Sequence, residues 1–282
     1  MSRHPPNHVS LPVRRYTGDK AGESVHNVAV ETPVALVYQG LSHVVMMATP
    51  DDLTDFGLGF SLSERILASA EELKSIEAVP VDKGIVLRMT IPHERFQAIF
   101  DQHRHLPGRT GCGLCGVESL EQAVPDLPQV PQNGQVIKPQ AVYQAFERLH
   151  AFQPEKRATG AVHAAAWCTP DGEIQVVRED VGRHNALDKL IGAMAGAGLS
   201  FGDGFCLITS RCSYEMVQKA VQMGMPMIAA ISAPTTFAVD LAERHNLTLL
   251  ALARQQTFTV FAHGHRVADH PAKVATEESS QA

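Results

Sequence analysis

The sequence has few cysteines, few aromatic residues and no excess of positive charge. Five cysteines in 282 residues are too few, and odd in number, for the disulfide framework of a small secreted protein. Lysine and arginine number 24 against 30 acidic residues, which gives a formal net charge of −6 at pH 7. A dedicated nucleic-acid-binding protein is usually basic, and a polybasic membrane anchor needs clustered cations. The composition therefore argues against nucleic acids and membrane surfaces as partners.

Long apolar segments are also scarce. Residues 1–15 are polar and contain prolines, unlike the apolar core of a signal peptide. The longest uncharged stretch, residues 220–239, contains two prolines and a glycine, so we interpret it as a helix end, a buried strand and a turn. We expect a cytoplasmic protein in a reducing compartment, where paired thiols usually perform chemistry or bind metal.

Hydrophobic periodicity predicts a mixed α/β protein, α+β overall. Alternating apolar strands and helices between residues 173 and 261 favour an α/β sheet that is at least partly parallel. An earlier strand pair is predicted over residues 28–38 and 41–47. Proline and glycine enrichment in residues 106–135 indicates a linker. The predicted divisions are a flexible arm (1–25), a small α+β domain (26–108), a cysteine loop and linker (109–135), a larger α/β domain (136–270) and a disordered tail (271–282).

The strongest local signal is the glycine-rich segment Gly111-Cys112-Gly113-Leu114-Cys115-Gly116. Two thiols at this spacing can bind one metal, form a disulfide or share a transferred group, and nearby cations favour the reactive thiolate. A zinc site completed by His103 or His105 lacks a second cysteine pair, and a thioredoxin-like pair would follow a strand and begin a helix. The glycines favour a third alternative, a nucleophilic cysteine on a mobile loop that carries a group between partners.

A second signal lies in four turns that follow predicted strands. If the strands are parallel, the turns meet at the edge where open α/β sheets bind ligands. Helix N-termini and arginines suit an anion, which predicts a nucleotide-like or phosphorylated ligand and no metal site. The candidate residues are Asp180, Arg183, His184, Arg211, Ser213, Ser232, Thr235 and Arg254. Each residue alone also has a structural interpretation: Asp180 can pair with Arg183, His184 can pack in the core, and Ser213 or Thr235 can cap a helix.

The cysteine segment belongs to a longer motif, Arg109-Thr110-Gly111-Cys112-Gly113-Leu114-Cys115-Gly116-Val117-Glu118. Further motifs lie at residues 49–50, 58–60, 62–64, 159–166, 179–189, 210–219, 232–236, 242–244 and 246–249. In this order the motifs resemble the FdhD family of sulfur-carrier proteins required for formate dehydrogenase activity. The resemblance covers roughly residues 28–265.

The resemblance implies a sulfurtransferase-like enzyme with a persulfide intermediate. Cys112 would accept sulfur from a cysteine desulfurase, and Cys115 would be a second catalytic thiol. The recipient would be the molybdenum (or tungsten) bis(molybdopterin guanine dinucleotide) cofactor of the formate dehydrogenase apoenzyme, with GDP and GMP as mimics of the bound substrate. The C-terminal domain of the family is similar to cytidine deaminase without its zinc signature, which this chain also lacks.

The cofactor-binding segment of the family falls on six residues in this chain: Leu252, Ala253, Arg254, Gln255, Gln256 and Thr257. This chain departs there from the glycine-containing turn of its relatives, although Arg254 keeps a cation. Two-fold cofactors and two-fold sites often occur together, so we also expect a homodimer.

Two other functions remain open at this point. A non-catalytic cofactor chaperone would need the turns but not the thiols. A thiol–disulfide oxidoreductase would instead use a reversible Cys112–Cys115 disulfide and form no persulfide.

Overall fold

A computed structural model describes residues 5–105, without the side chains of 102–105, and residues 126–268. Residues 109–125 of the predicted cysteine loop and linker, with Cys112 and Cys115, and the predicted tail lie outside these residues. Within the described ranges, no helix combines the length and apolar character needed to cross a membrane.

The described chain forms three β-sheets with helices packed between and around them. The strands are β1 (His8–Thr17), β2 (Lys20–Ala29), β3 (Thr32–Tyr38), β4 (Leu41–Ala48), β5 (Ser75–Val81), β6 (Gly84–Thr90), β7 (His163–Cys168), β8 (Ile174–Asp180), β9 (Phe205–Ile208), β10 (Met227–Ala230), β11 (Thr248–Arg254) and β12 (Thr257–Ala262). The helices are α1 (Leu53–Ser63), α2 (His93–His105), α3 (Pro139–Leu149), α4 (Pro154–Thr159), α5 (Arg183–Gly196), α6 (Tyr214–Gln222) and α7 (Thr236–Arg244). The mixed α/β class predicted from the sequence is confirmed.

The N-terminal segment is a long antiparallel hairpin, so the prediction of a loose arm over residues 1–25 is wrong for the part that is described. Strands β1 and β2 pair over ten residues each around a tight turn, where Gly18 has φ +58°. The hairpin docks at its base, where His8 Nδ1 lies 2.8 Å from the Glu155 carboxylate of α4. The predicted strand over 28–38 is divided, because the chain leaves β2 after Ala29 and begins β3 at Thr32.

The first layer of the core is a four-stranded sheet in the order β4-β3-β6-β5. Strands β3 and β6 are parallel, and the other neighbours are antiparallel. Alternate residues of β3, including Val34, Leu36 and Tyr38, are fully buried, which is the period-two pattern of a strand with one core face. Strands β5 and β6 form an antiparallel pair around a turn at Asp82-Lys83.

The second sheet has six strands in the order β12-β11-β10-β9-β7-β8. Strands β9, β10 and β11 are parallel, as predicted for this region. Strand β7 is antiparallel to both β8 and β9, so β8 runs in the same direction as β9. The sequence did not predict β7, whose small apolar residues are buried between the two neighbouring strands.

Helices α1 and α5 join the two sheets through a close contact between small residues. A Cβ at Gly59 would collide with the carbonyl of Asp188, and one at Gly192 would collide with the carbonyl of Asp55. One cluster of buried apolar side chains consequently includes residues of both sheets. The domain limits and the cytidine deaminase likeness stay predictions.

Candidate functional site at the edge of the six-stranded sheet

Four strands of the six-stranded sheet end at the same edge. Strands β8, β9, β10 and β11 run in one direction, so the turns that follow them lie at one edge, with the antiparallel β7 between β8 and β9. Helices α5, α6 and α7 begin directly after three of these turns and direct their N-termini to this edge. The convergence expected from the sequence is therefore present in the fold.

Hydrogen bonds connect the turns after β9 and β10 with the end of β11. The Cys212 N–H donates to the carbonyl of Ala233 at 3.2 Å, and the Thr235 N–H donates to the carbonyl of Cys212 at 3.1 Å. The Leu252 N–H, within β11, donates to the carbonyl of Ser232 at 3.3 Å. The turns after β9 and β10 and the last residues of β11 thus form one continuous backbone surface.

The candidate side chains differ in how far they are exposed at this edge. Arg211, Thr235, Leu252, Arg254, Gln255, Gln256 and Thr257 are exposed; Arg183, His184 and Ser232 are half-buried; Asp180, Ser213 and Ala253 are buried. Leu252 and Gln255 have positive φ angles, 57° and 50°, in a bulge and a turn. Non-glycine residues rarely adopt this conformation, and such strain concentrates at functional sites.

Two candidates also have helix-capping positions. The Thr235 hydroxyl accepts a hydrogen bond from the Ala238 N–H at 3.3 Å and thereby caps α7. Ser213 occupies the N-cap position of α6, but its hydroxyl makes no capping bond to the helix backbone. The Thr235 cap confirms one of the structural roles weighed from the sequence.

Asp180 is fully buried beneath the edge and both of its oxygens are occupied. Its Oδ1 accepts from the Gly182 N–H at 2.8 Å and from Asn185 Nδ2 at 3.0 Å. Its Oδ2 accepts from the N–H and the hydroxyl of Thr49 at 3.0 and 2.8 Å, and forms an ion pair with Lys189 at 2.8 Å. Its ion-pair partner is Lys189, so the pairing with Arg183 considered from the sequence is wrong. This geometry makes Asp180 a positioning residue for the turn that begins α5.

A second buried ionic group lies where α1, α5 and α6 meet. Lys219 Nζ is 2.7 Å from Glu64 Oε1, 2.9 Å from Asp188 Oδ1 and 2.8 Å from the Ser63 hydroxyl. Burial acts to lower the pKa of Lys219, but the two carboxylates outweigh it and raise that pKa. Neither Lys189 nor Lys219 is among the site residues predicted from the sequence. The available signal was a lysine within the apolar stripe of a predicted helix.

His184 lies at the start of α5 beside the turn that follows β9. Burial, and next the charge of Arg183, lower the pKa of His184 to about 4, against the opposing effect of Glu215. Its Nε2 is 3.9 Å from Glu215 Oε2, too far for a hydrogen bond. The imidazole is therefore neutral at pH 7, and it contributes polarity rather than positive charge to the edge.

We expect His184 to make the fold less stable in mild acid. In the unfolded chain the His184 side chain has its ordinary pKa of about 6.5, whereas in the folded chain its pKa is about 4. Between these two pH values the unfolded chain binds a proton more readily than the folded chain does. The free energy of unfolding therefore falls as the pH drops through this window. Between pH 7 and pH 5, urea unfolding should show a loss of about 1–2 kcal/mol that His184→Gln removes. The control variant His150→Gln, which replaces an exposed histidine, should show the same change in the free energy of unfolding with pH as the parent. If His184→Gln also showed the same change as the parent, His184 would not be the source of the pH dependence.

The three cysteines in the described part are buried free thiols: Cys168, Cys206 and Cys212. Burial raises the pKa of all three, that of Cys212 to about 12. Thiols in such surroundings are structural and unreactive. No group of three or more His, Cys, Asp or Glu side chains in the described ranges could hold a metal ion.

Comparison with known proteins decides the family. The FdhD/NarQ family model matches residues 29–268, most of the chain. The chain belongs to the FdhD/NarQ family. Its relatives in this family include two proteins named sulfur carrier protein FdhD. The one from Xanthomonas euvesicatoria pv. vesicatoria is 49% identical over 262 residues, covering 93% of each chain. The one from Cupriavidus necator is 47% identical over 271 residues, covering 96% of this chain and 93% of that protein.

The FdhD/NarQ fold is also found in a crystal structure from Desulfotalea psychrophila described as a formate dehydrogenase accessory protein. The two chains superpose with a TM-score of 0.72 at 24% identity, covering 93% of this chain and 100% of the other. This likeness supports the fold alone. The family resemblance inferred from the sequence motifs is confirmed, and the ligand-binding roles of the individual residues stay predictions.

Proposed function

We propose that this FdhD/NarQ family member is a sulfur carrier in formate dehydrogenase maturation. In this proposal Cys112 accepts sulfur from a cysteine desulfurase, and the edge of the six-stranded sheet binds the recipient bis(molybdopterin guanine dinucleotide) cofactor as substrate. The observation that carries the proposal is the convergence of exposed Arg211 and Arg254 with three helix N-termini at that edge. Cations and helix N-termini together favour the phosphates of a dinucleotide.

The first transfer is a thiolate exchange. The Cys112 thiolate attacks the outer sulfur of the desulfurase persulfide, the donor S–S bond breaks, and the donor cysteine leaves as a thiolate. The chain then carries the sulfur as a Cys112 persulfide. The attack requires a thiolate, so a cysteine whose thiol pKa is raised by burial is a poor sulfur acceptor.

Release of that sulfur as sulfide requires two electrons, which we assign to Cys115. Its thiolate attacks the inner sulfur of the Cys112 persulfide, the persulfide S–S bond breaks and hydrosulfide leaves toward the cofactor. The chain is left with a Cys112–Cys115 disulfide. Its formation supplies the two electrons that reduce the outer sulfur to sulfide. Reduction of that disulfide by a cellular thiol restores the carrier.

The buried cysteines support the choice of thiols. Cys168, Cys206 and Cys212 are enclosed in the core with raised pKa values, so they are poor nucleophiles at neutral pH. The chain has five cysteines, and only Cys112 and Cys115 remain for persulfide chemistry. Membership of a family whose relatives are named sulfur carriers supports the same choice.

The experiment is sulfur loading followed by intact-mass spectrometry. Incubation with a cysteine desulfurase and cysteine should add the mass of one sulfur, and subsequent dithiothreitol treatment should remove it. Reactions without cysteine or without desulfurase are the controls. An unchanged mass with an active desulfurase would favour a non-catalytic chaperone, and a loss of two hydrogens in the reaction without desulfurase, where no sulfur passes through the chain, would favour a thiol–disulfide oxidoreductase.

A further inference from the structure

The candidate edge carries an aromatic pair that the phosphate-binding role does not explain. Tyr214, the first residue of α6, and Phe237, the second residue of α7, have ring centroids 4.6 Å apart and ring planes within 11°. Tyr214 is 5% exposed and Phe237 is 38% exposed. One ring of the stack is therefore enclosed, while the other reaches solvent at the start of a helix that faces the edge.

The position of Phe237 has no packing explanation in the core. It follows Thr235 by two residues, and its neighbour Ala238 is the buried residue that packs α7 onto the sheet. Leu252, a second large apolar side chain, is 41% exposed at the same edge, and its N–H donates to the carbonyl of Ser232. Large apolar side chains exposed among polar groups commonly mark a ligand-binding surface.

We propose that the exposed face of Phe237 is the stacking surface for the purine base of a bound guanine nucleotide, with Tyr214 supporting it from behind. A planar base would extend the existing stack of rings by one layer. The phosphates would then lie toward the cationic and helix-terminal groups of the same edge, including Arg211. This inference rests on the proposed function and adds a residue that recognises the base, where the arginines and helix ends recognise only phosphate.

The support from Tyr214 fixes the orientation of the Phe237 ring. An unsupported exposed phenylalanine rotates about its side-chain torsions and loses that freedom when a base stacks on it. In the observed pair the ring is already held in a near-parallel stack, so less entropy is lost on binding. Stacking contributes affinity for any base, and we expect purines to exceed pyrimidines because of their larger ring area.

The test separates base binding from phosphate binding by calorimetric titration with GDP, CDP and inorganic pyrophosphate. Phe237→Leu keeps an apolar side chain but removes the aromatic face, and should weaken GDP binding on the order of tenfold. Its pyrophosphate affinity should equal that of the parent. Phe237→Trp should restore GDP binding, and Phe152→Leu, which alters an exposed phenylalanine outside the aromatic pair, should change neither ligand.

The possible failures are distinguishable. GDP binding by Phe237→Leu at the parent affinity would overturn the stacking assignment and leave the proposed function intact. Equal weakening of GDP and pyrophosphate would also overturn it, because the variant would then have disturbed the phosphate groups. A parent chain that binds neither GDP nor pyrophosphate would contradict the cofactor platform itself, and with it the stacking surface.

Discussion

Cys112→Ala is expected to abolish both sulfur loading and activation of formate dehydrogenase. The proposed transfer needs a thiolate that attacks the donor persulfide, and alanine provides no replacement nucleophile. The three buried cysteines cannot substitute, because burial holds their pKa values far above neutrality. Intact-mass spectrometry after desulfurase treatment should show no added sulfur, and formate-dependent dye reduction by the dehydrogenase should remain at the level without carrier.

Cys115→Ala is the matched control because it removes the neighbouring thiol from the same glycine-rich segment. We expect it to gain the sulfur and then fail to release it as sulfide, since the second electron pair is missing. Both variants should bind GDP with the parent affinity, because the proposed cofactor surface lies on other residues. Sulfur gain by Cys112→Ala would contradict the assignment of the persulfide to Cys112. In that case Cys115 would be the carrier, or the proposal would be wrong.

The fold was most predictable where local pattern and tertiary burial agree. The apolar run that became β10 is buried on both faces, and the predicted helices that became α5, α6 and α7 alternate with parallel strands. Connections between such strands place the following turns at one edge of the sheet. The position of Arg211, Ser232 and Arg254 at this edge was therefore predictable from the sequence.

The N-terminal hairpin was missed because its strands bury little. Strands β1 and β2 are exposed along almost their whole length, so the usual contrast between a core face and a solvent face is absent. The signal that was present is the alternation of Val9, Leu11 and Val13 before the turn at Gly18-Asp19. Proline and charge in this segment led instead to the prediction of a loose arm.

The sequence predicts which types of residue lie at the candidate edge, but not which partner each side chain contacts. The sequence places Asp180 and Arg183 three residues apart and makes an ion pair between them plausible. Which cation meets Asp180 depends on the packing of α5 against the turn before α1, where Thr49 lies. Long-range contacts of this kind carry no local signature, and neither does the stacking of Tyr214 on Phe237 across two helices.

Asp180→Asn is expected to destabilise the fold by about 3–5 kcal/mol, the second large effect. Asp180 and Lys189 are both 0% exposed, and their charged groups are 2.8 Å apart. The asparagine amide would leave the Lys189 ammonium with neutral oxygens alone, among them the carbonyl and hydroxyl of Thr49 at 3.1 and 2.9 Å. A buried cation without a counter-charge is the costly state, and urea unfolding at pH 7 should measure it.

The exposed variant Asp171→Asn, on the turn between β7 and β8, should cost less than about 0.5 kcal/mol and controls for the substitution itself. The double variant Asp180→Asn/Lys189→Met removes both charges, so its cost should be well below the sum of the two single variants. The folded fraction of Asp180→Asn should bind GDP nearly as the parent does, since a positioning residue lies beneath the ligand surface. Normal stability of Asp180→Asn would contradict the role assigned to the buried ion pair, whatever the affinity of the variant for GDP.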